Sequence, residues 1–514
     1  MSTIWLHVGQ AGNQLAEHIW KSHADYIQPV YNHNTTNNQL PITLYSPSLC
    51  NDLKVRALLI DTEPKVVAAV HSRTQFNLHN NNNNNTINSK STNTNNKSLF
   101  RNSNVVYEQS GRGNNWALGY SDDSMNDNSV LTKTLQSLHN EIERSDITID
   151  GICVVSSTSG GTGSGLGSRI VETIRDVYPR LSILSCCVLP YANGETPLQH
   201  YNSIFTLAHH YMYTDAVMLF NNNDIHNIIS HATARYSTTP SNSASANGLQ
   251  SVSFDIMNRY ISDCILDIVA PTQYAHTHNK NAKNVLYNAK THSTRALPVV
   301  PTRITDLIQH NCPMSSMKLL ESYTTSGLTE LANEVANINS ARPKTAAQRK
   351  LSTYNQSTTN TSTNWNGLID QLSSIVPKYT TPASTFAYSV YTRGDMDNTF
   401  NIDTQNRIDI RMNKIYSPVA WNTNPSQYIT SSIPPLSHFR TLNNSCSSKS
   451  IATLVNRAYN STRVSALLDR GRLMYDNNAF THWYQRYGID DNEFNQAFDT
   501  VQTIIDNYKQ LTMS

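Results

Sequence analysis

The chain has 514 residues, 38% of them hydrophobic and only 15% charged, with a formal net charge of +2. At about 150 residues per domain the length gives roughly three domains, and the near-neutral balance excludes a strongly basic nucleic-acid binder as the default reading. No apolar run is long enough to span a membrane, the start MSTIWLHVGQ lacks the basic flank and apolar core of a signal peptide, and seven cysteines without CxxC spacing argue for a reducing compartment rather than a disulfide framework or zinc site.

In chain order, Ile4–Val8 is a short apolar run that predicts a strand, a glycine turn, and a helix from Asn13. Ala57–Ile60 predicts a second strand, ending at Asp61. Residues 77–104, NLHNNNNNNTINSKSTNTNNKSLFRNSN, hold little apolar matter to offset ordering entropy, and predict a disordered loop between two ordered elements. Leu131, Leu135, Leu138 and Ile142 share one helical face. Ile152–Val155 predicts a strand meeting a glycine-rich loop, then a helix through Ser168–Tyr178 and a strand at Leu184–Leu189. Strands alternating with helices mean an α/β fold, with a parallel sheet covered on both faces and ligands at the carboxyl ends of its strands.

Further along, Ile256, Tyr260, Cys264 and Ile268 recur every four residues and predict a helix over Phe254–Ala270. Residues 234–248, 276–293 and 340–365 read as polar surface insertions, although Asn-rich tracts also serve aggregation or phase separation elsewhere. Phe494, Phe498, Val501, Ile505 and Tyr508 mark a final amphipathic helix, capped near Asp490 or Asp491.

The strongest chemical signal is Ser159-Gly160-Gly161-Thr162-Gly163-Ser164-Gly165-Leu166-Gly167, between a strand and a helix. Glycines let backbone N–H groups approach a phosphate, and the helix N-terminus adds partial positive charge. Thr162 and Ser164 carry hydroxyls that can donate to phosphate oxygens. No GK[ST] follows, so this is not a P-loop, and Leu166 stands where GxGxxG needs its third glycine.

The spacing GGTGSGLG resembles the signature loop of the tubulin superfamily. Gly9-Gln10-Ala11-Gly12-Asn13-Gln14 resembles that family's first nucleotide loop, Asp61-Thr62-Glu63-Pro64 its second and Gly113-Asn114-Asn115-Trp116 its third. Within the family, Gly113 to Tyr120, Tyr201 to Leu207 and Tyr487-Gly488-Ile489-Asp490 look most like delta-tubulin. The resemblance covers residues 1–76, 105–233, 250–330 and 460–510, and is poor over 340–450. The ending YKQLTMS carries no acidic tail of the alpha- and beta-tubulin kind, so partners that grip such a tail are not expected.

What the resemblance implies is a tubulin-like GTP-binding parallel-sheet domain over 1–230, an α+β intermediate domain over 231–450 and a C-terminal helical hairpin over 451–514. It implies GTP or GDP with Mg2+ as cofactors. Gly9, Gln10 and Ala11 would meet the phosphates, with Ser157, Gly160, Gly161, Thr162 and Gly163 in the glycine loop and Asn114 at the terminal phosphate. Glu63, with Gln10, would approach magnesium, largely through water. Asp61 would assist, and helix N-capping ahead of Pro64 is the alternative job for both carboxylates. Glu195 and Gln199 would meet the ribose, Gln199 standing where most tubulins have Glu. Asn222 and Asn258 would read the guanine edge, and Phe254 would stack on the base where alpha- and beta-tubulins have Tyr.

Hydrolysis in this family is completed across a longitudinal interface. Asp306, in Thr305-Asp306-Leu307-Ile308, aligns with the catalytic Glu of alpha-tubulin, where a carboxylate orients the attacking water. An exposed polar residue on a helix face is the plain alternative. The partners implied are other tubulins (alpha, beta, epsilon) and centriolar or basal-body proteins in cytoplasm and cilium, with no nucleic acid or membrane. A nucleotide-bound structural tubulin without turnover is a second reading, and a dinucleotide oxidoreductase a remote third. His209-His210 imitates a metal pair only superficially, because adjacent helical residues point apart.

Overall fold

The computed structural model describes residues 2–33, 54–77, 96–121, 128–144, 148–194, 196–236, 252–270, 302–339, 364–377, 384–394, 402–431, 433–437 and 448–513. The tract 276–293 lies outside them, as do all but the edges of 234–248 and 340–365. Among the described residues no helix is long and apolar enough to cross a membrane.

The first half runs β1 (Ser2–Val8), α1 (Gly9–His33), β2 (Ala57–Asp61), α2 (Pro64–Arg73), β3 (Gln75–Asn77), β4 (Asn96–Ser98), β5 (Val105–Tyr107), α3 (Trp116–Tyr120), α4 (Val130–Glu143), β6 (Ile149–Ser157), α5 (Gly167–Val177), β7 (Ser182–Leu189), α6 (Gln199–Tyr213), β8 (Ala216–Asn221) and α7 (Asn222–Tyr236). The second half runs α8 (Phe254–Val269), α9 (Ile304–Asn311), β9 (Leu319–Thr324), α10 (Leu328–Asn339), α11 (Trp365–Ile375), β10 (Thr385–Arg393), α12 (Ile402–Tyr416), β11 (Ser426–Ser431), β12 (Ser450–Arg457), α13 (Tyr459–Asp476), α14 (Thr481–Gln485) and α15 (Asp491–Met513).

Ten strands form one sheet in the order β11-β10-β12-β9-β8-β7-β6-β1-β2-β5. From β5 to β9 every neighbouring pair is parallel. β12 then pairs antiparallel with both β9 and β10. This is the α/β architecture expected from alternating strands and helices. Parallel strands are covered on both faces, and strand side chains alternate between them. Ile4, Leu6 and Val8 thus pack with Leu131, Leu138, Ile170 and Ile174 of α4 and α5, while Trp5 packs on the opposite face with Ile19 and Trp20 of α1.

Two boundaries differ from expectation, and the cap of the last helix falls where it was expected. α1 starts at Gly9 rather than Asn13, because Gly9 turns the chain straight out of β1 into the helix. Of the tract 77–104, Asn77 and residues 96–104 are described and ordered, and 78–95 lie outside the described residues: β4 pairs antiparallel with β3, and Leu99 and Phe100 are fully buried, Phe100 edge-on to Trp20 at 6.4 Å between ring centroids. Burial of two large apolar side chains offsets the ordering entropy there. At α15 the cap is Asp490. Its Oδ1 accepts from the N–H groups of Asn492 at 2.7 Å and Glu493 at 3.2 Å, and Glu493 Oε2 accepts from the Asp490 N–H at 2.8 Å, a reciprocal capping box.

The C-terminal helices α13 and α15 cover α6. Tyr201 and Phe205 meet Tyr484 and Phe494 there, with ring centroids 5.0–5.6 Å apart. The Tyr508 hydroxyl lies buried against β9, accepting from the Leu319 N–H at 2.9 Å.

Candidate nucleotide site

The loops after β1, β2 and β6 leave the same end of the parallel sheet, because all three strands run the same way. The loop after β1 is braced from below. Trp20 Nε1 donates to His7 Nε2 at 3.0 Å. Because that ring nitrogen must accept, the proton sits on Nδ1, which donates to the Gly12 carbonyl at 3.2 Å. Burial pushes the His7 pKa down to about 3, so the ring stays neutral. Asn13 Nδ2 donates to the carbonyls of Gly9 and Ile60, both at 2.9 Å, and ties this loop to the end of β2.

Gly9 has φ +74, the left-handed region that favours glycine. A Cβ there would lie 2.7 Å from the Gly163 amide nitrogen, so the first loop and the glycine loop touch backbone to backbone. The glycine loop leaves β6 and opens into a wide π turn at Thr162–Leu166 before α5. Its second contact is with the stretch before α3: a Cβ on Gly161 would meet the Arg112 carbonyl at 2.5 Å. Thr162 Oγ1 lies 2.6 Å from Thr62 Oγ1, joining the second loop. Four segments far apart in sequence therefore close around one place.

Thr162 is half-buried, but Ser164 is not available to a ligand. Its buried hydroxyl donates back to the Gly160 carbonyl, so the expected phosphate donor is spent on its own loop. Ser157 Oγ is 2.9 Å from Ser159 Oγ. Gln10 and Asn114 are exposed, Ala11 half-buried. Asn114 has φ 50, and its carbonyl accepts from Asn202 Nδ2 at 2.8 Å.

Asp61 is buried, and burial is the main cause that pushes its carboxyl up to about 6, against a hydrogen bond from the Thr62 N–H at 2.8 Å. Glu63 is exposed at the N-terminus of α2, and its side chain makes no cap hydrogen bond. It reaches across Gly111, where a Cβ would lie 2.6 Å from Glu63 Oε1. Among the described residues no cluster of three His, Cys, Asp or Glu is built to hold a metal. An exposed carboxylate and the Gln10 amide are hard oxygen donors, a set that fits Mg2+ retaining most of its waters.

At the other side of the mouth Phe254 is 51% exposed, its ring tilted against Tyr191 at 6.1 Å. Asn258, one turn on, is buried and donates to Gln14 Oε1 at 3.3 Å. Asn221 Oδ1 accepts from the Asn223 N–H at 2.9 Å, and Asn222, buried, is the first residue of α7. Gln199 is fully buried and donates to the Tyr191 carbonyl at 3.0 Å. Glu195 lies outside the described residues.

Asp306 is not brought to these loops. It stands on α9, which packs at the starts of β6 and β7: Thr305 Oγ1 donates to Asp150 Oδ1 at 2.9 Å and lies 3.2 Å from Ser182 Oγ. At about 3.3 Å per residue the length of β6 separates it from its own chain's glycine loop by roughly 30 Å. Its carboxylate faces Arg303 at 3.7 Å. His209 and His210 diverge, His209 onto Trp116 at 4.9 Å and His210 onto Ser185 Oγ at 2.6 Å.

Two bracing residues, Asn13 and Asn202, had no role in the sequence reading. Asn13 lies inside the first loop motif and Asn202 inside the Tyr201–Leu207 stretch, so motif membership was their only signal.

Residues 2–230 match the family described as Tubulin/FtsZ family, GTPase domain. A tubulin delta chain of Homo sapiens is 23% identical over 531 aligned residues, covering 99% of this chain and 100% of that protein. A tubulin beta-1 chain of Geotrichum candidum is 23% identical, covering 99% and 94%. A tubulin gamma chain of Saccharomyces cerevisiae is 28% identical but covers 44% of each. Residues 2–230 are thus a GTPase domain of the Tubulin/FtsZ family, in a chain similar to tubulin delta and beta chains along nearly its whole length.

Proposed function

We propose that the chain is a GTP-binding tubulin of the delta type, acting in the assembly or maintenance of centrioles, basal bodies and triplet microtubules. Its neighbours in this reading are other tubulins and basal-body proteins. The observation that carries the nucleotide reading is the convergence of Gly9, Thr62, Gly161, Thr162 and Asn114 at one end of the parallel sheet. In it, Gly9, Gln10, Ala11, Ser157, Gly160, Gly161, Thr162, Gly163 and Asn114 hold the phosphates. Glu63 and Gln10 approach Mg2+. Phe254, Asn258 and Asn222 hold the base, and Glu195 and Gln199 meet the ribose, Gln199 only if its buried side chain leaves the Tyr191 carbonyl it holds here.

In the same reading Asp306 serves the nucleotide of a longitudinal neighbour, since it stands at the opposite end of the sheet from its own. A second reading, a nucleotide-bound structural protein without turnover, draws on the Arg303–Asp306 pair, which competes for the carboxylate. Purified protein is denatured and the released nucleotide identified by chromatography. GTP or GDP supports the site, and a nicotinamide or flavin overturns it. GTP turnover of the assembled protein then separates the two readings: loss of turnover in Asp306→Ala supports the enzyme, and an unchanged rate removes Asp306 from catalysis.

A further inference from the structure

Asn202 sits in the first turn of α6 and is fully buried. A primary amide offers two donor hydrogens and an oxygen that accepts twice, and here all four are used. Nδ2 donates to the carbonyls of Asn114 at 2.8 Å and Ser159 at 2.6 Å. Oδ1 accepts from the Trp116 N–H at 2.8 Å and from the Tyr484 hydroxyl at 2.5 Å. Asn114 and Trp116 belong to the third loop, Ser159 opens the glycine loop, and Tyr484 is on α14, in the C-terminal hairpin. A second tie runs alongside, from Asn115 Nδ2 to the Trp483 carbonyl at 2.9 Å.

We propose that Asn202 is a positioning residue for the terminal-phosphate end of the nucleotide, and that Tyr484 makes the C-terminal hairpin part of that setting. Asn202 acts through Asn114 and Ser159. Asn114 has a left-handed backbone, sparsely populated though tolerated by asparagine better than by most residues, and the Asn202 amide is a tie that holds it. The inference rests on the guanine-nucleotide reading above, in which the third loop meets the terminal phosphate. GDP lacks that phosphate, so loosening the third loop weakens a GTP-like ligand more than GDP. Coupling of this kind is reciprocal, and a bound terminal phosphate in turn holds the hairpin.

The test uses the full chain with Mg2+, a non-hydrolysable GTP analogue and GDP. Asn202→Asp keeps the Oδ1 acceptor but sets an oxygen against two carbonyls. It is expected to lower affinity for the analogue about tenfold or more and for GDP less than about threefold. Tyr484→Phe keeps the packed ring, deletes one hydroxyl, and is expected to show the same selectivity at about three- to fivefold. Limited proteolysis gives a second readout: the analogue protects the 477–489 segment of the parent chain more than GDP does, and the difference shrinks in Tyr484→Phe.

Equal loss for both nucleotides makes the residue structural only and overturns the inference, as does no loss in either variant. If Asn202→Asp does not fold, Tyr484→Phe decides alone. A parent chain that binds neither nucleotide overturns the underlying reading and this one together, whereas a parent that binds both isolates the failure to Asn202.

Discussion

Arg457 Nη2 lies 2.6 Å from Glu321 Oε2, with both side chains almost wholly out of water. Arg463 adds a contact to Glu321 Oε1 at 3.5 Å and pairs with Asp224. Tyr323 donates its hydroxyl to Glu321 Oε2 at 2.6 Å. The cluster joins β9, β12 and α13 to the first turn of α7, two residues beyond Asn222. Burial alone would raise the Glu321 pKa, but the two guanidiniums outweigh it and hold the carboxyl below its ordinary range.

Glu321→Gln leaves two buried guanidiniums short of their counter-charge. Removing one member of a buried pair costs about 3–5 kcal/mol, and a urea titration should show the midpoint fall accordingly. A loss well under 1 kcal/mol would mean that Asp224 alone balances both arginines.

The same carboxylate predicts an acid limb. Its folded-state pKa is depressed, so its stabilisation is present above the ordinary glutamate value of 4.5 and disappears as pH falls through the depressed value. Asp224 works the other way. Burial, opposed by Arg463, raises its pKa, so its contribution is present below its unfolded value and lost as pH rises through the folded one. Stability measured from pH 6 down to pH 3 should therefore fall more steeply in the parent chain than in Glu321→Gln. Parallel curves would remove Glu321 as the source.

Gly9→Ala combines a strained φ with an overlap on the Gly163 backbone, where neither partner is a flexible side-chain tip. Strain and overpacking of this kind cost about 1–3 kcal/mol each. The expected outcome is a folded chain of lower melting temperature that is purified without nucleotide. A variant with normal nucleotide content would show that the two loops separate freely.

Phe254 is half exposed at the mouth of the site, so its ring contributes little to the core. Stacking of a base on an aromatic ring contributes about 1–3 kcal/mol. Phe254→Ala should thus weaken guanine-nucleotide binding roughly five- to a hundredfold, with the urea midpoint unchanged. Phe254→Tyr, which keeps the ring, should bind about as well as the parent chain. A variant that unfolds early but still binds would reassign the ring to packing.

Legibility in the sequence followed burial symmetry. β2 and β7 are apolar on both faces, so their runs stood out, and the glycine loops were readable because spacing alone carries backbone geometry. β10 and β12 were missed although Thr385–Arg393 and Ser450–Arg457 are rich in β-branched and aromatic residues, because β10 lies where family resemblance is poor and β12 in the short stretch before it resumes at 460. Leu99 and Phe100 were masked by the composition of the tract before them. Asn13, Asn202 and the Glu321 cluster were illegible for another reason. A polar side chain looks the same in sequence whether its partners are solvent or four groups hundreds of residues apart, and only the fold supplies those partners.

The cover over α6 also sets an order of events during synthesis. Tyr201 and Phe205 are made long before Tyr484 and Phe494, the rings that shield them. Until the last helices leave the ribosome, the growing chain presents an aromatic strip beside an unfinished third loop. Its first domain cannot reach its final form in the order in which it is translated, and a chain cut short before Thr481 would carry that strip permanently to solvent, ready to pair with another of its kind.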